Sequence, residues 1–219
     1  MRIIAGDARG RVLRSPSGNA TRPTDSRSRE TLFNILGEHV QDAHVLDLYA
    51  GSGAVGLEAL SRGARSCIFV EQNATAAASI RANLKMLGWA DRGQVWHTAV
   101  KSALFRMDKA EEYAGHFGLV FADPPFREPR EFEDLARRVD ILARLLHNVG
   151  ELSGGSSRIL VVQHPKRMQF SLPAPFDVWK SRRAGESCLS FFEVIRDGVV
   201  THPEARQDEA GRIQDQDEL

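Results

Sequence analysis

The chain is poor in cysteine, in tyrosine and in uninterrupted apolar runs, and it has no net charge. Each shortage removes a class of protein. Cys67 and Cys188 have neither metal-ligand spacing nor a disulfide framework. Both sit in apolar stretches, which fits buried reduced thiols and predicts a reducing cytoplasm. No run of about 18 apolar residues occurs, so no membrane span is expected. The start, Met1 to Asp7, turns to glycine and charge too soon for a secretory signal. His39, His97, His116 and His147 have no spacing that suggests a metal, and none is expected. What remains is a 219-residue chain, 42% apolar and 26% charged, long enough for one substantial core.

The zero net charge hides an asymmetry. Residues 1–30 hold Arg2, Arg9, Arg11, Arg14, Arg22, Arg27 and Arg29 against Asp7, Asp25 and Glu30, and no lysine. Guanidinium pairs bidentately with phosphate oxygens, so this arm suggests nucleic acid; a solvated arginine-rich surface is the plainer alternative. Residues 203–219 are acidic and lack hydrophobic periodicity beyond His202, which predicts a disordered tail.

Along the chain, residues 1–15 suggest a hairpin around a turn-rich centre at 6–10. Thr24 or Asp25 caps a helix to about Val40, with Leu32, Leu36 and Val40 on its apolar side. Strands are expected at 44–49, 67–71, 94–97 and 117–122, with helices at about 53–62, 73–88, 101–114 and 131–147. That alternation argues for a parallel, doubly wound α/β sheet. Strands at 158–163, 176–182 and 188–195 follow, the last two too close for a helix and therefore antiparallel. The organisation expected is an extension at 1–40, a main domain at 41–200 and a tail at 201–219. Trp89, Trp96 and Trp179 fit core or edge packing, and His164 fits a structural or solvent-facing role.

Two stretches carry chemistry. Asp47–Gly56 joins a strand to a helix through Gly51, Ser52 and Gly53, and fits G-x-G-x-x-G with Glu71 closing the next strand, 20 residues after Gly51. A nicotinamide or flavin enzyme competes with a methyl-donor enzyme here, and a tight packing turn is the bland reading of any single glycine. Asp47 tips the choice. A carboxylate inside the strand end does nothing obvious for a pyrophosphate, but suits the ammonium of a methionine moiety. The second stretch, Asp123-Pro124-Pro125-Phe126, follows an apolar strand. Its two prolines remove two N–H donors and leave an acceptor-rich turn beside an aromatic face. Such a turn suits a planar group bearing –NH2; a rigid strand end is the plain alternative.

Together these stretches resemble the class I S-adenosylmethionine-dependent amino-methyltransferases, with their (D/N/S)-P-P-(Y/F) motif. Met1–Gly6, Gly10–Leu13, Arg22–Asp25, Arg29–Leu36, Leu46–Gly53 and Glu58–Ala64 are similar, in that order, to the RsmD family, over about residues 1–196. The resemblance implies a Rossmann-like, seven-stranded, mostly parallel sheet with an antiparallel C-terminal hairpin and an N-terminal hairpin-and-helix extension. It implies methyl transfer from S-adenosylmethionine to N2 of a guanine in 16S ribosomal RNA (guanine 966 in the family's nomenclature), within an assembled or assembling 30S subunit; a monomer is the default expectation. By position it implies cofactor binding by Asp47, Tyr49, Gly51, Ser52, Gly53, Glu71, Gln72, Thr98, Ala99 and Asp123. The target base falls to Asp123, Pro124, Pro125 and Phe126. Arg22, Thr24 and Arg29 of the family's N-terminal motif are expected to reach RNA or complete the cofactor site, and Arg9, Arg11 and Arg14 of the arginine-rich arm to bind RNA. The chain departs from the family at His97–Val100, where an acid near adenine is usual, at Phe126 in place of tyrosine, and at Ala184-Gly185 in place of an aromatic-glycine pair. Methylation of adenine N6 or a protein glutamine, and a non-catalytic RNA-binding assembly factor, remain alternatives.

Overall fold

The computed structural model describes residues 1–15, 26–125, 129–146 and 158–194. The expected cap at Thr24 or Asp25, Arg22, Phe126, His147 and the acidic tail lie outside them. Seven strands form one sheet: β1 (His44–Leu48), β2 (Ser66–Glu71), β3 (Gly93–His97), β4 (Leu119–Ala122), β5 (Ile159–Pro165), β6 (Phe176–Ala184) and β7 (Ser187–Val194). Their order is β3-β2-β1-β4-β5-β7-β6. The first five are parallel, and β7 runs antiparallel between β5 and β6. The strand order reverses beside β1, so the clefts beyond the carboxyl ends of β1 and β4 are where a ligand finds room.

Helices α1 (Ser26–Leu36), α2 (Ala54–Ser61) and α3 (Ala74–Leu87) join one apolar cluster on one face of the sheet. Helices α4 (Val100–Asp108), α5 (Pro129–Ala136) and α6 (Val139–Leu146) join a second on the other. Every residue of α2 is buried. Gly56 makes this close approach possible, since a Cβ there would lie 2.3 Å from the Phe69 ring.

The N-terminal segment is docked, not free. Only one bridge, Arg2 to Val12, marks the expected hairpin. Backbone bonds cross it from Ile3 N–H to the Arg11 carbonyl, Gly10 N–H to Ile3 and Leu13 N–H to Met1, and other polar groups go to the helices below. Ile4 and Ala5 N–H donate to the buried Glu58 carboxylate at 2.8 and 2.9 Å, and Asp7 N–H to the Ser61 carbonyl at 2.8 Å. Asn83 of α3 accepts from Arg14 N–H at 2.8 Å and donates to its carbonyl at 3.0 Å. Ile3, Ala8 and Leu13 enter the same apolar cluster as Leu32, Phe33 and Leu36. The extension therefore shares its core with the sheet.

Three expected helices are shorter than their periodicity. The 101–114 stretch ends as α4 at Asp108, with a separate 3-10 turn at Glu111–Tyr113. Arg144 of α6 donates to the Met107 carbonyl at 2.8 Å and to the Asp108 carboxylate at 3.2 Å, meeting the helix end from outside. The 131–147 stretch is two helices. At the break Arg138 N–H donates to Leu135, three residues back, and its guanidinium returns to the Asp134 carbonyl. The first helix over 24–40 likewise divides into α1 and a 3-10 turn at Gly37–Val40.

Candidate active site

A cavity of about 1350 Å³ opens beyond the carboxyl ends of β1, β2 and β4. The glycine loop forms one end. Tyr49 and Gly51 both take positive φ, 59° and 54°, and Gly53 at 74° precedes α2. For tyrosine this left-handed backbone is strained, and the hydrogen bonds around it hold it there.

Two carboxylates, Asp47 and Glu71, line this end, and Asp123 joins them in the cavity wall close enough for its charge to act on Asp47. Glu71 is nearly buried and accepts twice from backbone, from Gly51 N–H and Asn73 N–H, both at 2.6 Å. Asp47 is buried and accepts from Gly56 N–H at 3.0 Å. Burial pushes the Asp47 carboxyl up to about 7; the Gly56 N–H opposes this, and the charges of Asp123 and Glu71 add to it. A concentration of negative charge beside a glycine loop repels a pyrophosphate. Glu71 also occupies the Gly51 N–H that a phosphate would take. The site instead attracts a cation and suits hydroxyl donors, which favours a methionine-derived sulfonium nucleoside over a dinucleotide.

The other end is built after β4. Asp123 is half-buried, Pro124 buried and Pro125 exposed, and all three line the cavity. Beyond lies α5. Glu131, Asp134 and Leu135 face the cavity from one side of the helix, and Arg138 joins them from the break that follows. Tyr49 spans the two ends: its hydroxyl donates to Glu131 at 2.9 Å. Burial, then that hydrogen bond and the Glu131 charge, push the Tyr49 phenol well up, so it stays a donor.

The sequence-derived residues divide as follows. Asp47, Tyr49, Gly51, Ser52, Glu71, Gln72, Ala99, Asp123, Pro124 and Pro125 share the cavity wall. Gly53 and Thr98 do not line it. Gly53 caps α2, and Thr98 N–H donates to the Glu71 carbonyl at 3.1 Å, behind the wall. Arg9, Arg11 and Arg14 are exposed on the docked extension and do not line the cavity. Arg29 is a correction: its side chain is 1% exposed, with its guanidinium on the Arg2 carbonyl at 3.0 Å, so it fixes the extension and has no face for a phosphate. Arg22, Thr24 and Phe126 lie outside the described residues. His164 is buried behind the wall, with Nδ1 near the Pro165 carbonyl and Nε2 on Ser190 Oγ at 2.9 Å, a structural role. Of the two thiols, Cys67 is buried and Cys188 only half-buried. Among the described residues no cluster could hold a metal and no helix is long and apolar enough to cross a membrane.

Sequence reasoning missed Ser28, Glu131, Arg138, Gln163 and the β6–β7 turn at Gly185–Ser187, all in the wall. The polar pair Glu131 and Asp134 at i, i+3 on α5 was a usable signal. The turn was not, because only the sheet order brings it to the cavity.

The family model described as "Conserved hypothetical protein 95" matches residues 1–193. The chain is 40% identical over 130 residues to YlbH of Bacillus subtilis (strain 168), which carries a provisional rRNA-methyltransferase name; the aligned part is 59% of this chain and 69% of that one. It is 42% identical over 127 residues to Ribosomal RNA small subunit methyltransferase D of Escherichia coli (strain K12), covering 58% of this chain and 61% of that protein, a little under two thirds of its length. Among solved structures, Escherichia coli yhhF superposes with a TM-score of 0.66 at 32% identity, over 89% of this chain and 97% of that one.

Proposed function

The chain belongs to the RsmD family, and on that premise we propose that it transfers a methyl group from S-adenosylmethionine to the exocyclic N2 of a guanine in 16S ribosomal RNA. Its sheet is the Rossmann-like sheet of class I methyltransferases. The observation that supports the reading best is the convergence of Asp47, Glu71 and the Asp123-Pro124-Pro125 turn on one cavity.

When bound, S-adenosylmethionine supplies an electrophilic methyl on a sulfonium. Asp47 would hold its ammonium and Glu71 its ribose hydroxyls, with Gln72 and Ala99 along the nucleoside. Glu71 keeps the loop in shape by accepting from Gly51 and Asn73 N–H groups. At the other end the Asp123 carboxylate and the Pro124 carbonyl would accept the two amine protons, and Phe126 would stack on the base, a contribution of about 1–3 kcal/mol. An exocyclic amine delocalises its lone pair into the ring. Holding both protons between acceptors favours the localised, nucleophilic form. No base is needed before transfer, because the proton becomes acidic only once the nitrogen is alkylated. Positioning and the disappearance of the sulfonium charge carry the rate.

Incubation with tritiated S-adenosylmethionine and small ribosomal subunits lacking the modification, followed by digestion to nucleosides, tests this. Label in N2-methylguanosine is the expected result. Label in N6-methyladenosine or in protein glutamine would replace the substrate, and cofactor binding without transfer would favour a non-catalytic assembly factor.

A further inference from the structure

The N-terminal arginines are one cationic surface. The structure holds a second at the opposite end of the sheet. β6 is an edge strand, and its second half is exposed from Lys180 to Arg183. A bulge between Val178 and Lys180 decides which way its side chains face. Val178 lies opposite Phe192, whose ring belongs to the α4–α6 face. After the bulge, Lys180 lies opposite Phe191 and Arg182 opposite Leu189, both of the α1–α3 face. One extra residue thus moves Lys180 and Arg182 to the face that carries α1 and the N-terminal extension. Two residues apart on one strand, their Cα atoms stand about 6.6 Å apart.

This stripe leads to the cavity. β6 ends at Ala184, and the turn Gly185-Glu186 and the first residue of β7, Ser187, line the cavity wall. Arg27, in the first turn of α1, is exposed next to Ser28, which also lines it. Glu186 takes Lys166 Nζ, and Asp177, at the far end of β6, accepts from Val178 N–H at 2.9 Å. Among the described residues, Lys180, Arg182 and Arg183 form no ion pair.

We propose that Lys180 and Arg182 of β6 form a phosphate-binding surface that grips the RNA backbone on the side of the cavity away from the arginine arm. This rests on the RNA reading above. The arm is tied to α3, which packs on β2 and β3. The arm is tied to α2 as well, which packs on β1 and β2; with strands about 4.8 Å apart, β6 stands roughly 19 to 29 Å of sheet away from the strands under those helices. A polyanion held at both ends presents the nucleotide between them to the Asp123 turn. Phosphate contacts of this kind position without reading sequence.

The test is the salt dependence of methyl transfer to small subunits lacking the modification, using the full chain. The double variant Lys180→Ala with Arg182→Ala should raise KM for the subunits about tenfold. It should also lower the slope of log KM against log salt by about 1.4, as expected for two lost contacts to a single strand. Affinity for S-adenosylhomocysteine and thermal stability should not change, and Lys180→Arg with Arg182→Lys should restore both KM and slope. A wild-type chain that labels subunits while the alanine variant keeps the wild-type KM and slope overturns this surface alone. A wild-type chain that labels no RNA overturns the function and the surface together.

Discussion

The two ends of the cavity are built by different means. At the glycine-loop end, carboxylates are fixed by backbone amides: Glu71 by Gly51 and Asn73, Asp47 by Gly56. The groups that would hold a cofactor are thus also the groups that hold the loop. At the Asp123 end the turn is stiffened by prolines, and Tyr49 of the loop reaches the α5 wall beyond it by donating to Glu131. The first end is set by local chain geometry. The second depends on elements 82 residues apart in sequence meeting correctly. Damage at the first end should therefore reach both folding and binding, whereas damage at the second should affect the reaction alone.

The largest expected effect is on the reaction. Asp123→Ala should lower single-turnover methyl transfer about 100- to 1000-fold, by analogy with removal of one preorganised group that acts in the transition state. A loss under about tenfold would move amine recognition elsewhere. Next is Glu71→Ala, which leaves two backbone N–H groups without their carboxylate. It should destabilise the fold by about 1–3 kcal/mol in denaturant titrations and weaken cofactor binding as well. Loss of cofactor affinity at unchanged stability would contradict the shared role of Glu71.

Asp47 gives a pH signature. Its folded carboxyl titrates at about 7, raised from 3.8, so the protonated form is favoured in the free protein. Its contribution to stability is present below the ordinary value and declines as pH rises towards about 7. A bound ammonium reverses the preference and drives the proton off. Cofactor affinity should fall up to about tenfold per unit as pH drops below 7, plateau above it, and become flat in Asp47→Asn. Calorimetry in buffers of different ionisation enthalpy should detect the released proton. A pH-independent affinity in the wild type would separate Asp47 from the ammonium. The smallest effect is at the connection between the ends. Tyr49→Phe and Glu131→Gln should each slow transfer a few-fold, and their coupling in a double-mutant cycle should be about 0.5–1.5 kcal/mol. Additive losses would show that the hydrogen bond connects nothing.

The glycine-loop end was legible in the sequence because its parts are contiguous or at a characteristic spacing. Asp47, Gly51 and Glu71 sit on one strand–loop–helix–strand unit, and local geometry brings them together. The parallel strands and the antiparallel hairpin were legible for a similar reason, since alternation and the short 183–187 loop leave few topologies. Other features depend on distant partners. Arg29 has the same composition signal as its exposed neighbours, and only packing against the extension puts it inside. The break between α5 and α6 has no proline or glycine to announce it. The end of α4 is set by Arg144, from another helix. Gly185–Ser187 reach the cavity only because β7 is inserted between β5 and β6.

The separation of the two ends is tested most directly by the affinity of Asp123→Ala protein for S-adenosylhomocysteine, measured by calorimetry at a pH above 7. The expected dissociation constant is within a few-fold of wild type, in a protein that has lost methyl transfer. An affinity that falls as far as the transfer rate would place Asp123 in the cofactor site and contradict the division of the cavity into a donor end and an amine end.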